Sequence, residues 1–261
     1  MNKRIIVTTL IVLLALIGVV LAALLILNKN TTNSSLENTQ EEKIVSQETI
    51  ENNFKNSFYN IDYTEDNESM VERVFDYEEN KESKYSVKVN LPKIKTETDI
   101  TTKINEEIID AYGDKLLDII NNSEEFTLYN IDYISSVNNN ILSIAIKTTL
   151  KEGNNPQRLL IGTYNYDIVN DKVLKLEEML SLKGIEKSDV QQKIIDTVRQ
   201  KNVNTTALSE QGYNIYVRDI RSDEYLIENI ENFFIDEEGH IYILFPYGNK
   251  NFTETMDVII L

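Results

Sequence analysis

"FTLYNIDYISSVNNNILSIAIKTTL" (Phe126–Leu150) is two alternating runs separated by three asparagines. In the first run Tyr129, Ile131 and Tyr133 fall on one side of an extended chain and Asn130 and Asp132 on the other, because strand side chains alternate with period two. Asn138-Asn139-Asn140 tolerates the left-handed backbone that a tight hairpin requires. The stretch therefore predicts a hairpin with one face on a core. YNIDY also stands at Tyr59–Tyr63, and a near copy, YNYDI, at Tyr164–Ile168. A solenoid would need such motifs at a steady interval, but the intermediate slots hold IKTET (94–98) and RQKNV (199–203). The recurrence is read as half-buried strands written in a restricted alphabet.

Neighbouring segments extend this pattern. KYSVKVNLPKI alternates Tyr85, Val87, Val89 and Leu91 and is expected to stop at Pro92, which has no N–H for a ladder. DITTKINEEIIDAYGDKLLDII spaces Ile100, Ile104, Ile108, Tyr112 and Leu116 four apart, which predicts one amphipathic helix despite Gly113. A second hairpin is expected around Asn170-Asp171. A short helix is expected in KLEEMLSLKG, and a longer one carries Val190, Ile194, Ile195 and Val198 behind a Ser188 cap. RSDEYLIENIENFFID begins helical and turns strand-like by Phe233, and EEGHIYILF is a strand after a turn at Gly239. The fold class predicted is α+β, an antiparallel β-sheet with packed helices.

The chain opens with an uncharged run, Ile5–Leu27, after Lys3 and Arg4. As a helix those residues reach about 34 Å, enough to span a bilayer. The charge bias puts residues 1–4 in the cytoplasm and everything after 28 outside. The localisation expected is the cell membrane, single-pass, with most of the chain extracellular. A signal peptide cleaved after Val20-Leu21-Ala22 is the competing reading, but it would leave ALLIL exposed at the new terminus. Residues 28–56 are polar and acidic and are read as a flexible linker, with a short helix over Glu41–Phe54 as the alternative. Two parts of one ectodomain follow, 57–125 and 126–261.

Chemistry is constrained by what the 261 residues contain. There is no cysteine and a single histidine, His240, expected in an exposed turn. Thiolate chemistry and multi-histidine metal sites are excluded, and no metal or cofactor is predicted. Gly-x-Ser-x-Gly, Ser-x-x-Lys and glycine-rich phosphate loops are all missing. Glu106-Glu107, Glu177-Glu178 and Asp236-Glu237-Glu238 are read as solvated faces or turns, although two carboxylates are all that a glycosidase needs. Net charge is −17 for the whole chain, and −19 once Lys3 and Arg4 are set aside. Such a surface repels nucleic acid and draws cationic partners.

VKVNLPKIK (Val87–Lys95) with KINEEI (103–108) resembles the strand, proline and helix start of a bacterial extracytoplasmic domain of unknown function. ILSIAIKTTL, GTYNYDIVNDKVLKLEEML and NFFIDEEGHIYILFPYG resemble the domain that usually follows it. This tandem pair forms the extracellular, lysozyme-sensing part of the anti-sigma-V factor and the non-catalytic region of a peptidoglycan deacetylase. The likeness covers roughly residues 60 to 250. Family members often carry Gly-Gly-Ala-His-Pro between the two central strands, where this chain has Glu152-Gly153-Asn154-Asn155-Pro156. Sigma-factor control needs a cytoplasmic segment, and only residues 1–4 precede the expected span.

The resemblance, the expected anchor and the missing catalytic motifs together imply a non-catalytic extracellular recognition domain for a protein or a peptidoglycan ligand, and the net charge favours a cationic protein. Its candidate ligand-binding residues are Glu152, Gly153, Asn154, Asn155 and Pro156, with Asn165 and Asp167 as exposed neighbours. The alternative is a cell-wall-modifying enzyme, or an accessory subunit of one.

Overall fold

Alternating runs become strands, and the four-residue spacings become helices, in the computed structural model, which describes residues 52, 54, 55, 58, 70–213, 215–247 and 256–261. In chain order these are β1 (Val71–Lys81), β2 (Tyr85–Ile94), α1 (Asp99–Ile108), α2 (Asp114–Asn122), β3 (Thr127–Asn138), β4 (Ile141–Glu152), β5 (Arg158–Asp167) and β6 (Lys172–Val173). Then come α3 (Leu176–Lys183), α4 (Lys187–Glu210), β7 (Phe233–Ile235), β8 (Ile241–Pro246) and β9 (Met256–Ile260). Strands β1 to β6 lie side by side in that order in one sheet, and β7 to β9 form a second. Every pairing is antiparallel except β2 with β3, which the helical crossover between them makes parallel. The architecture is α+β with antiparallel-rich sheets.

The expected membrane helix over 5–27, the stub at 1–4, almost all of the linker and the first YNIDY lie outside the described residues. Among the described residues no helix is long and apolar enough to cross a membrane. Phe54, assigned to the linker by sequence, is buried, with its ring stacked on Tyr242 at 4.1 Å. The boundary between 57–125 and 126–261 falls just before β3, and the larger sheet runs across it.

The hairpin at the centre forms as predicted. Asn139 and Asn140 both adopt left-handed backbone, φ 47° and 64°, the pattern of a tight primed turn. Tyr129, Ile131 and Tyr133 are buried while Asn130 and Asp132 are half-buried. Strand β2 continues through Pro92 to Ile94 rather than stopping. Pairing with β3 ends at Val89, and Pro92 lies opposite Arg73 beside a bulge in β1, so its missing N–H costs the sheet little. Ile94 is instead completed from α1: its N–H donates to Asn105 Oδ1 at 2.8 Å, and its carbonyl accepts from Asn105 Nδ2 at 3.0 Å.

The predicted amphipathic helix is continuous but carries a π turn, Ile109–Gly113, between α1 and α2. A four-residue spacing drifts around an ordinary 3.6-residue helix, and a wider turn takes up the excess. Ile104, Ile108, Leu116 and Ile119 consequently stay on one buried face against Val87, Val89, Tyr129 and Ile131. Tyr129 donates its hydroxyl to the Tyr112 carbonyl inside that turn at 3.1 Å. A second core packs Met179, Leu180, Val190, Ile194 and Val198 of α3 and α4 with residues such as Phe233 and Ile243. Glu186, not Ser188, is the cap residue of α4; Ser188 lies inside the first turn, and Ile195 is only half-buried.

Candidate functional site

The β4–β5 turn is built from its base outward. Glu152 ends β4 opposite Thr127, and its carboxylate receives Lys115 Nζ from α2 at 2.9 Å and the Arg158 guanidinium from the start of β5. Gly153 takes φ +52°, the left-handed region that favours glycine, and the Glu125 carboxylate lies where its Cβ would be. Its N–H donates to the Phe126 carbonyl at 2.9 Å, and the Asn155 N–H to the Glu152 carbonyl at 3.0 Å. Asn154 and Asn155 are exposed at the tip, and Pro156 is half-buried behind them. The result is two solvent-facing amides on a backbone fixed from three sides.

Asn165 and Asp167, expected to be exposed, are instead buried, at 2% and 6% exposure. The β5 face that carries them is covered by the second sheet. Asn165 donates through Nδ2 to the Phe233 carbonyl at 2.8 Å and accepts from the Ser143 hydroxyl. Ser143 Oγ accepts from the Ile235 N–H at 3.0 Å, and Ser136 donates to the Ile235 carbonyl. Thr163 accepts from the Phe233 N–H and donates to the Glu231 carbonyl, both at 3.1 Å. Among the described residues β7 pairs with β8 along one edge only, and these four side chains bond the backbone groups on its other side.

Asp167 closes the following turn. It accepts from the Val169 and Asn170 N–H groups at 3.0 and 2.9 Å and from the Asn170 side-chain amide at 2.7 Å. That side-chain amide, with the backbone donors, holds its carboxyl below the usual aspartate range. Neither residue is available to a ligand, so the structure brings none of the seven predicted positions together beyond the contiguous turn 152–156.

A polar cluster that escaped the sequence reading joins Arg218 to the C-terminal strand, and a second cluster surrounds His240. Arg218 meets Asp257 of β9 through Nε to Oδ2 at 2.5 Å and Nη2 to Oδ1 at 2.8 Å, with both side chains about 5% exposed. Tyr247 donates to the same carboxylate at 3.1 Å and lies under the guanidinium, while Lys201 Nζ stands 3.5 Å away. Burial opposes both charges, pulling Arg218 down and pushing Asp257 up. The hydrogen bonds and mutual attraction prevail, leaving Arg218 above its ordinary value and Asp257 below.

The second cluster is the β7–β8 turn, where His240 is half-buried rather than exposed. Asp236, Glu238 and His240 could each offer one metal ligand atom within 4.8 Å. Asp236 is already engaged, accepting from the His240 N–H at 2.9 Å and the Tyr242 hydroxyl at 2.7 Å, and meeting the His240 ring at 2.8 Å. Glu238 is 81% exposed, and an added Cβ at Gly239 would stand 3.2 Å from the Lys183 ammonium, a cation beside the turn. These groups shape a turn better than they hold an ion. Glu178 likewise caps α3 by accepting from the Lys175 N–H at 3.0 Å.

No protein-family model and no curated protein matches the sequence. Among solved structures, the chain is similar to a DUF3298 family protein from Pseudomonas aeruginosa PAO1. The identity is 15%, the coverage 54% of this chain and 70% of that one, and the TM-score 0.38. It is also similar to a DUF3298 member from Bacteroides fragilis NCTC 9343, with 14% identity, 64% and 80% coverage, and a TM-score of 0.28. Both neighbours are DUF3298 proteins. At these identities and scores neither likeness assigns a ligand, an activity or a membrane anchor.

Proposed function

We propose that this chain is a membrane-anchored, extracellular, non-catalytic recognition domain whose β4–β5 tip contacts a cationic protein or a peptidoglycan ligand. The observation that carries the reading is the construction of that tip. The Glu152 ion pairs and the Gly153 geometry hold the backbone, and Asn154 and Asn155 face solvent. Side-chain amides on a held backbone suit recognition, because the backbone's ordering entropy is not lost again on binding. The acidic surface, −17 for the whole chain, adds attraction for a basic partner. The resemblance to the lysozyme-sensing region makes lysozyme the first cationic probe.

The rival reading, a wall-modifying enzyme or its accessory subunit, draws on one feature, the Asp236–His240–Tyr242 contact. Incubation of the full chain with purified peptidoglycan separates the two. Recognition predicts bound but unaltered glycan. Released sugar or acetate that disappears in H240A and D236N would replace recognition with catalysis. Orientation is tested on intact cells, where added protease is expected to digest the acidic portion without lysis.

A further inference from the structure

Resting on the tip reading above, we infer that Glu125 sets the specificity of the β4–β5 tip, selecting an ammonium or guanidinium group on a basic protein over a glycan.

The carboxylates around the turn are not equivalent. Glu152 is neutralised inside the fold by Lys115 and Arg158, and Lys115 also reaches Asp118. Glu125 is exposed, and among the described residues its carboxylate has no ion-pair or hydrogen-bond partner. Lys151, which strand alternation turns to the opposite face of β4 from Glu152, does not pair with it either. The free carboxylate nevertheless has a fixed seat, because it fills the space that a side chain at Gly153 would take. The main chain beneath it is pinned on both sides. The Thr127 hydroxyl donates to the Glu125 carbonyl at 3.2 Å, the Thr127 N–H donates to the Lys84 carbonyl at 2.9 Å, and the Phe126 carbonyl receives the Gly153 N–H.

This chemistry selects the ligand. An ionised carboxylate only accepts hydrogen bonds, and the side-chain carbonyls of Asn154 and Asn155, one and two residues beyond Gly153, accept as well. An ammonium brings three N–H donors and a guanidinium five, with no acceptor to be left unpaired, and charge-assisted bonds are the stronger kind. Peptidoglycan carries carboxylates of its own on muramic acid and its stem peptides, so both Glu125 and the −17 chain repel it. A basic protein is drawn by both.

The test titrates the full chain in detergent with lysozyme and with soluble peptidoglycan fragments, at low and at high salt. E125Q keeps the shape of the side chain and removes its charge. E238Q removes the same charge from the β7–β8 turn, where the Glu237 carbonyl accepts from Asn138 at the far end of β3, about 37 Å along the strand from Thr127. E125Q is expected to weaken lysozyme binding about fivefold at low salt and less at high salt, with an unchanged unfolding midpoint. E125K should weaken it about twentyfold, and E238Q by no more than about twofold. Equal weakening by E125Q and E238Q would overturn the inference, because net charge alone would then be acting. Weakening by N154A/N155A but not by E125Q would also overturn it, while leaving the tip reading in place. Saturable binding of the fragments with none of lysozyme would do the same. If neither N154A/N155A nor E125Q alters the binding of either probe, the tip reading and this inference fall together.

Discussion

Asn165 of β5 donates its side-chain amide to the main-chain carbonyl of Phe233, 68 residues later, at 2.8 Å. Through this contact and the Ser143 hydroxyl, the larger sheet bonds a buried edge of β7 that β8 does not pair. Asn165→Ala is expected to lower stability by about 1–3 kcal/mol, because it strands buried polar groups. Asn165→Asp should cost more, since an ionised carboxylate cannot donate to the carbonyl. Urea unfolding of both variants measures this, and an unchanged midpoint would remove the edge from the account.

Arg218 and Asp257 predict both a mutational pattern and a pH pattern. Arg218→Met leaves the buried carboxylate with Lys201 and Tyr247 alone and is expected to cost about 3–5 kcal/mol, toward the lower end because Lys201 remains near. R218M/D257L should recover most of that loss, as apolar replacement of both partners often does. Asp257 sits below the ordinary aspartate value of 3.8 in the fold. Its contribution is therefore fully present above that value and is lost as pH falls through the lower folded one. Below about pH 4, the stability measured by thermal unfolding should therefore fall less per pH unit in R218M/D257L than in the native chain.

Gly162 and Tyr112 form a steric pair. A Cβ at 162 would overlap the Tyr112 hydroxyl, while the ring carbon behind it stands at an ordinary 3.6 Å. Gly162→Ala is expected to destabilise by about 1–3 kcal/mol through overpacking. Adding Y112F should restore much of the loss. A double-mutant cycle by chemical denaturation gives the coupling, and independent effects would contradict the close approach.

The hairpin turn is testable in the opposite direction. Asn140 holds φ 64°, so Asn140→Gly should raise stability by a few tenths of a kcal/mol and Asn140→Val should lower it by about 1–2 kcal/mol. Melting temperatures of the two variants should bracket the native value.

What was legible in the sequence was local. Period-two alternation at Tyr129, Ile131 and Tyr133 and the asparagine turn specify the central hairpin without reference to distant residues. The burial of Asn165 and Asp167 was not legible, because a polar residue in YNYDI reads as solvent-facing unless a second sheet arrives over it. Ser143 inside the apolar run ILSIAI was the available hint, a hydroxyl that needs a buried partner. Arg218 and Asp257 lie 39 residues apart with no shared pattern, and only the docking of β9 brings them together. The Glu152–Pro156 turn was found by resemblance, while its ion pair with Lys115 of α2 depends on the crossover.

The central claim, that the β4–β5 tip recognises a ligand outside the membrane, is tested most directly by calorimetric titration of the full chain with lysozyme and with soluble peptidoglycan fragments. The native chain and N154A/N155A are compared side by side. The prediction is saturable binding of at least one probe by the native chain. The tip variant should bind about tenfold more weakly with an unchanged unfolding midpoint. Identical titrations for the two proteins, or no saturable binding of either probe, would contradict it.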